Sequence, residues 1–119
     1  MELGRESLEA NHAYLAQAPN MVLAMLRTCD LLLSDPREVV IAGDPADDGT
    51  KDFLARLRSQ WPTGYVVTVI HEGNSEDLLE LVPAHAGKVP LQGRSAAYVC
   101  RFGVCEAPVT TVGELKLKE

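Results

Sequence analysis

Ser95–Cys105, SAAYVCRFGVC, is the stretch on which the fold turns. SAAYVCR and the run that follows, VCEAPV, are strand-like and flank Phe102-Gly103, so the segment reads as a two-residue hairpin. Read as a crossover instead, it would continue a parallel sheet of the flavodoxin kind. The preceding residues complete the pattern. EVVIAG (Glu38–Gly43) and YVVTVI (Tyr65–Ile70) are β-branched runs typical of strands buried on both faces. Between them, TKDFLARLRSQW sets Phe53, Leu54, Leu57 and Trp61 at helical spacing, with Pro62 and Gly64 as its stop. SEDLLELVPAHAG reads as a short helix with Ser75 as N-cap and Pro83 limiting it, and KVPLQGR reads as a loop. Thr111 and Glu114 have capping-box spacing for a closing helix. The order β-α-β-α-β-β(-α) implies an α/β fold with a mixed sheet, parallel at its start and antiparallel at the hairpin. This is a thioredoxin-like order of elements; a flavodoxin-like three-layer sheet is the alternative.

Upstream of Asp35-Pro36 the chain is helical in character. SLEANHAYLAQAP offers Ser7 as N-cap with Leu8, His12 and Leu15 on one face, and PNMVLAMLRTCDLLLS starts a second helix at Pro19 and runs to Ser34. Residues 1–35 therefore form an expected helical hairpin and 36–119 an α/β domain. Met21, Val22, Leu23, Met25, Leu26, Leu31, Leu32 and Leu33 leave the second helix apolar nearly all round. Helices of that kind are covered on several sides. The expected cover is either an upstream part of the same polypeptide or a partner in a homo-oligomer.

With 119 residues, 46% hydrophobic and 24% charged, the chain has the makings of a globular core, although aromatics at 5% leave the packing to aliphatic side chains. Seventeen acidic against eleven basic residues give a net charge of -6, and the basic residues are scattered. That argues against nucleic acid as a partner, since phosphate binding needs clustered Lys and Arg. The most apolar run, Met21–Leu33, is broken by Arg27 and Asp30 and falls short of the roughly 20 residues of a membrane span. MELGRESLEA has acidic residues where a secretory leader would be basic and then apolar, and three cysteines fit poorly with a secreted disulfide framework. A cytoplasmic, reducing location is the expectation.

The chemistry-bearing residues are few. Across a Phe102-Gly103 turn, Cys100 faces Cys105 at a Cα separation of about 4.5–5.5 Å, within disulfide range. A redox or structural pair is thus open; the plainer reading is two small buried thiols. Neither cysteine lies at a helix N-terminus, the spacing is not C-x-x-C, and no second ligand pair lies near in sequence for zinc. Cys29 reads as a packing residue. Thioredoxin-type chemistry needs a cysteine pair where the first strand meets its helix, and GDPADDGT stands there instead. Asp44, Asp47 and Asp48 from that loop, with His71 and Glu72 from the next, form a candidate ligand edge for a hard cation beyond the strand ends. The plainer reading is a solvated rim with one Asp capping the helix. His12 and His85 read as structural. No nucleophile stands with a base and an orienting acid, and no catalytic residue, resident metal or cofactor is expected.

Two stretches carry a family likeness: REVVIAGDP (Arg37–Pro45) and AYVCRFGVCEAPVT (Ala97–Thr110). They resemble a strand-Gly-Asp-Pro element and a C-R-x-x-x-C-x-x-P-V-T signature near the carboxyl terminus of thioredoxin-like proteins related to spermatogenesis-associated protein 20. Those proteins carry an amino-terminal thioredoxin-like domain followed by an (α/α)6 toroid. The resemblance implies that residues 5–34 correspond to the last helices packing with the toroid. It also implies that the family's cysteine motif and its sugar-epimerase-like cavity lie outside this chain. Cys100 and Cys105 match the signature, which assigns them no role. The expected function is a non-catalytic packing or interaction domain of a multidomain protein. A thiol-redox or regulatory module using Cys100 and Cys105 is the competing expectation, and ligand binding at the acidic edge a third.

Overall fold

The computed structural model describes residues 2–60 and 64–117. The chain divides into two compact units, 1–36 and 37–119.

The first unit is helical: α1 (Glu2–Ala10), α2 (His12–Gln17), a 3-10 turn at Pro19–Met21 and α3 (Leu23–Leu33). Ser7, expected as an N-cap, lies inside α1, and the break comes after it. At Asn11 the backbone N–H turns back to the Leu8 carbonyl and the side-chain amide donates to the Ser7 carbonyl, so the first helix ends there. Pro19 opens a 3-10 turn rather than the long helix itself. Lacking an N–H, it holds Ala18 out of helical geometry at φ -141°, ψ 61°. After α3, Asp35 takes a left-handed φ of 58° and Pro36 follows, a combination that stops a helix.

The second unit is built on a four-stranded sheet: β1 (Arg37–Ala42), β2 (Tyr65–Ile70), β3 (Ala96–Arg101) and β4 (Val104–Cys105), in the order β2-β1-β3-β4. β1 and β2 are parallel, joined through α4 (Asp48–Gln60). β3 runs antiparallel to β1, and β4 antiparallel to β3. That is the thioredoxin-like order of elements, and the antiparallel β1–β3 pairing rules out the flavodoxin-like parallel sheet. The hairpin turns on Phe102 and Gly103, both at positive φ (48° and 85°), as the favoured two-residue turn requires.

Alternation along the strands sends side chains to both faces. Val39, Ile41, Ala97 and Val99 pack with Phe53 and Leu57 of α4 and with Leu115. Val40, Ala42, Ile70, Ala96, Tyr98 and Cys100 pack on the other face beneath Leu78 and Leu79 of α5 (Ser75–Leu81). Burial of a side chain such as Ile41 or Phe53 stabilises by about 1.5–3 kcal/mol, and central β1 receives that gain on both sides.

Three expectations shift. VCEAPV yields a two-residue β4. Glu106 still donates its N–H to the Val99 carbonyl, but Val109 then pairs with Ala97, so Ala107 and Pro108 together oppose one residue of β3. This is a bulge, and Pro108, with no N–H for the ladder, sits where a strand tolerates it. Thr111 Oγ1 does donate to the Glu114 carboxylate at 2.8 Å, yet only a 3-10 turn, Val112–Glu114, forms. Asn74, not Ser75, precedes the first turn of α5. Trp61 and Pro62 lie outside the described residues.

Candidate functional site

Cys100 and Cys105 are register partners at the open end of the hairpin, and a disulfide joins them across a Cα distance of 3.9 Å. The ladder explains the meeting. Val99–Glu106 is bridged by a backbone hydrogen bond, so the adjoining Cys100–Cys105 pair falls in the non-bonded position, where opposed side chains come closest. The two sulfurs' residues differ sharply in setting. Cys100 is 2% exposed within the cluster of Val40, Ala42 and Tyr98, whereas Cys105 is exposed. The picture of two separate buried thiols is thereby replaced by a bonded pair with one buried and one open residue. Cys29, on α3, is half-buried and carries no disulfide.

On the other side of β3, Glu38 of β1 is the register partner of Cys100. Glu38 alternates with Val40 and Ala42, so its side chain leaves the sheet on the face that holds Cys100. Its carboxylate meets His85 Nε2 at 2.7 Å. His85, at the end of a 3-10 turn Pro83–His85, is 1% exposed, and its Nδ1 is buried with no hydrogen-bond partner. The same loop buries Lys88, whose ammonium donates to the Ala84 carbonyl. It is pinned by Tyr98, whose hydroxyl donates to the Val89 carbonyl at 2.7 Å and accepts from the Val89 N–H at 3.2 Å. His85 thus has the charged partner that sequence reasoning did not find. Forty-seven residues separate the two, and no local motif signals a contact made by sheet register and loop return.

The acidic edge resolves into local structure. Asp44 Oδ1 accepts from the Ala46 N–H at 2.7 Å, Asp47 gives its carbonyl to the first turn of α4, and Asp48 pairs with Lys51 at 3.6 Å. His71 Nδ1 accepts from the Gly73 N–H at 3.2 Å, while Asn74 ties His71 N–H and the Val69 carbonyl into one turn. Glu72 is exposed. Among the described residues, no group of three or more His, Cys, Asp and Glu side chains comes together to hold a metal ion. His12 Nδ1 meets the Glu9 carbonyl at 3.0 Å.

Beneath that edge, β1 closes on Gly43, where chain crowding leaves no room for a side chain. A Cβ there would stand 2.6 Å from Thr50 Oγ1 and overlap the Ser95 hydroxyl. Those two hydroxyls bond to each other at 2.9 Å in the interior. The junction that holds the cysteines in thioredoxin-type chemistry is here a closed, hydroxyl-lined joint. Among the described residues no helix is long and apolar enough to cross a membrane.

Compared with known proteins, the chain matches no protein-family model, no curated protein and no solved structure.

Proposed function

We propose that this chain is a non-catalytic packing and interaction domain of a larger thioredoxin-like assembly, working in the cytoplasm. The observation that carries this reading is α3. None of its residues is buried, and Leu23 and Leu33 are 63% and 86% exposed, beside Met21 at 82%. Large apolar side chains left open to solvent along one segment fit a contact site. The resemblance to the proteins related to spermatogenesis-associated protein 20 supplies its occupant: further helices of the same polypeptide, packed as the closing turns of a toroid. The β1–α4 junction supports the same reading, since GDPADDGT offers no sulfur for thiol chemistry there. The purified chain is expected to turn over neither a disulfide substrate nor a sugar epimer. Turnover above that of a Cys100→Ser/Cys105→Ser control would count against the proposal.

A second reading is favoured by one observation of its own. The Cys100–Cys105 disulfide, with one partner open to solvent, supports a thiol-redox or regulatory module. In a reducing compartment such a bond is exchangeable rather than permanent.

A further inference from the structure

The buried and exposed halves of the disulfide, and the acid-imidazole pair beside it, say how exchange proceeds; this inference rests on the thiol-redox reading. We propose that Cys100–Cys105 is a one-sided thiol-exchange site. External thiols enter only at Cys105, and Glu38, held by His85, handles the proton of Cys100.

Thiolate attack needs access to the sulfur along the S–S axis. Cys105 is exposed and Cys100 is 2% exposed, so only the former offers its sulfur to a thiol from solution. In the opening step a glutathione-class thiolate attacks Cys105 Sγ. The new S–S bond forms as the Cys100–Cys105 bond breaks, and the electron pair goes to Cys100 Sγ. A second thiolate attacks the outer sulfur of the mixed disulfide, giving glutathione disulfide and the Cys105 thiolate. Two thiols are oxidised and one protein disulfide is reduced. Closing is the reverse path.

The thiolate left on Cys100 stands among Val40, Ala42 and Tyr98, where an unneutralised charge is strongly disfavoured. It needs a proton, and its ladder neighbour is a carboxyl group. Directly opposed side chains on one sheet face lie about 4.5–5.5 Å apart at Cβ, which brings the Glu38 carboxyl within reach of Cys100 Sγ. Glu38 also reaches outward: its side chain is 31% exposed while its partner His85 is 1% exposed. The carboxyl therefore bonds the buried imidazole, is open in part to water, and shares its sheet face with Cys100. On opening, a proton from solvent reaches Cys100 by way of the Glu38 carboxyl; on closing, Glu38 takes it back. His85, whose Nδ1 has no bond of its own, is a positioning residue that acts through Glu38.

The test uses the full chain with Cys29→Ser throughout, glutathione and glutathione disulfide as probes, and intact mass after acid quench. In Cys100→Ser a single glutathione adduct is expected, on Cys105. In Cys105→Ser the remaining thiol is expected to stay unmodified until denaturant is added. Rapid adduct formation on folded Cys100 would overturn one-sided entry. With both cysteines present, Glu38→Gln is expected to slow closing of the mixed disulfide about tenfold or more. Adduct formation at Cys105 in the Cys100→Ser background should be untouched by the same change, a split that a merely structural role would not produce. Closing at the wild-type rate, or faster, would overturn the proton role. Should Glu38→Gln melt below the assay temperature, Glu38→Asp replaces it and must slow closing too. A reduced chain that never re-forms the disulfide sinks the redox reading itself, whereas a chain that cycles through Cys100 sinks only this inference.

Discussion

α3 and β1 are both rich in apolar residues, and they meet opposite fates. Val39, Val40, Ile41 and Ala42 are wholly inaccessible, whereas α3, with seven of its eleven residues drawn from Leu, Met and Ala, buries none. Apolar content alone does not secure burial. β1 is central in the order β2-β1-β3-β4, with α4 over one face and α5 over the other, so Val39, Val40, Ile41 and Ala42 all land in a core. A helix projects side chains through a full circle, and one or two short neighbours cannot cover that circle. The difference is one of topology: the strand has a packed layer on each face, and the helix does not.

That contrast can be attacked by mutation. The largest effect is expected at Phe53→Ala, which empties the core between α4 and β1 and should cost about 3–5 kcal/mol in denaturant unfolding; a change under about 1 kcal/mol would mean the α4 face is not the core. Cys105→Ser, measured against the oxidised parent chain, should cost about 2 kcal/mol by releasing the short hairpin loop, and an unchanged midpoint would show that the hairpin closes without its covalent tie. Gly103→Ala forces a Cβ onto φ 85° and should lower stability by about 1 kcal/mol. Leu33→Ser, on the exposed helix, should leave the midpoint within about 0.5 kcal/mol. A larger loss there that grows with protein concentration would show that a second copy covers α3.

Much of the second unit was legible because its signals are local. β-branched runs, helical spacing at Phe53, Leu54 and Leu57, and the Phe102-Gly103 turn each declare themselves within a few residues. The cysteine pair was legible as a geometric option for the same reason, since a two-residue turn brings Cys100 and Cys105 opposite each other. The helical breaks were harder. Asn11 and Pro19 divide the amino-terminal helices through backbone hydrogen bonds that compete with continuation, and side-chain periodicity does not register that competition. At the acidic edge the sequence left two readings open, because the partners that Asp44, Asp48 and His71 find inside their own turn or helix are not declared by residue type.

By itself, then, the order of residues determined the α/β class, the succession of strands and helices, the hairpin and the apolar character of α3. Each follows from preferences that act over a turn or a strand's length. Only the tertiary structure decided that Glu38 meets His85, that Cys100 is shielded while Cys105 is open, and that Gly43 admits no side chain. Those facts depend on which strands become neighbours and which loops fold back over them. Contacts between residues 45 or more positions apart, such as Glu38 with His85 or Thr50 with Ser95, are set by packing of the whole unit and leave no periodicity to read.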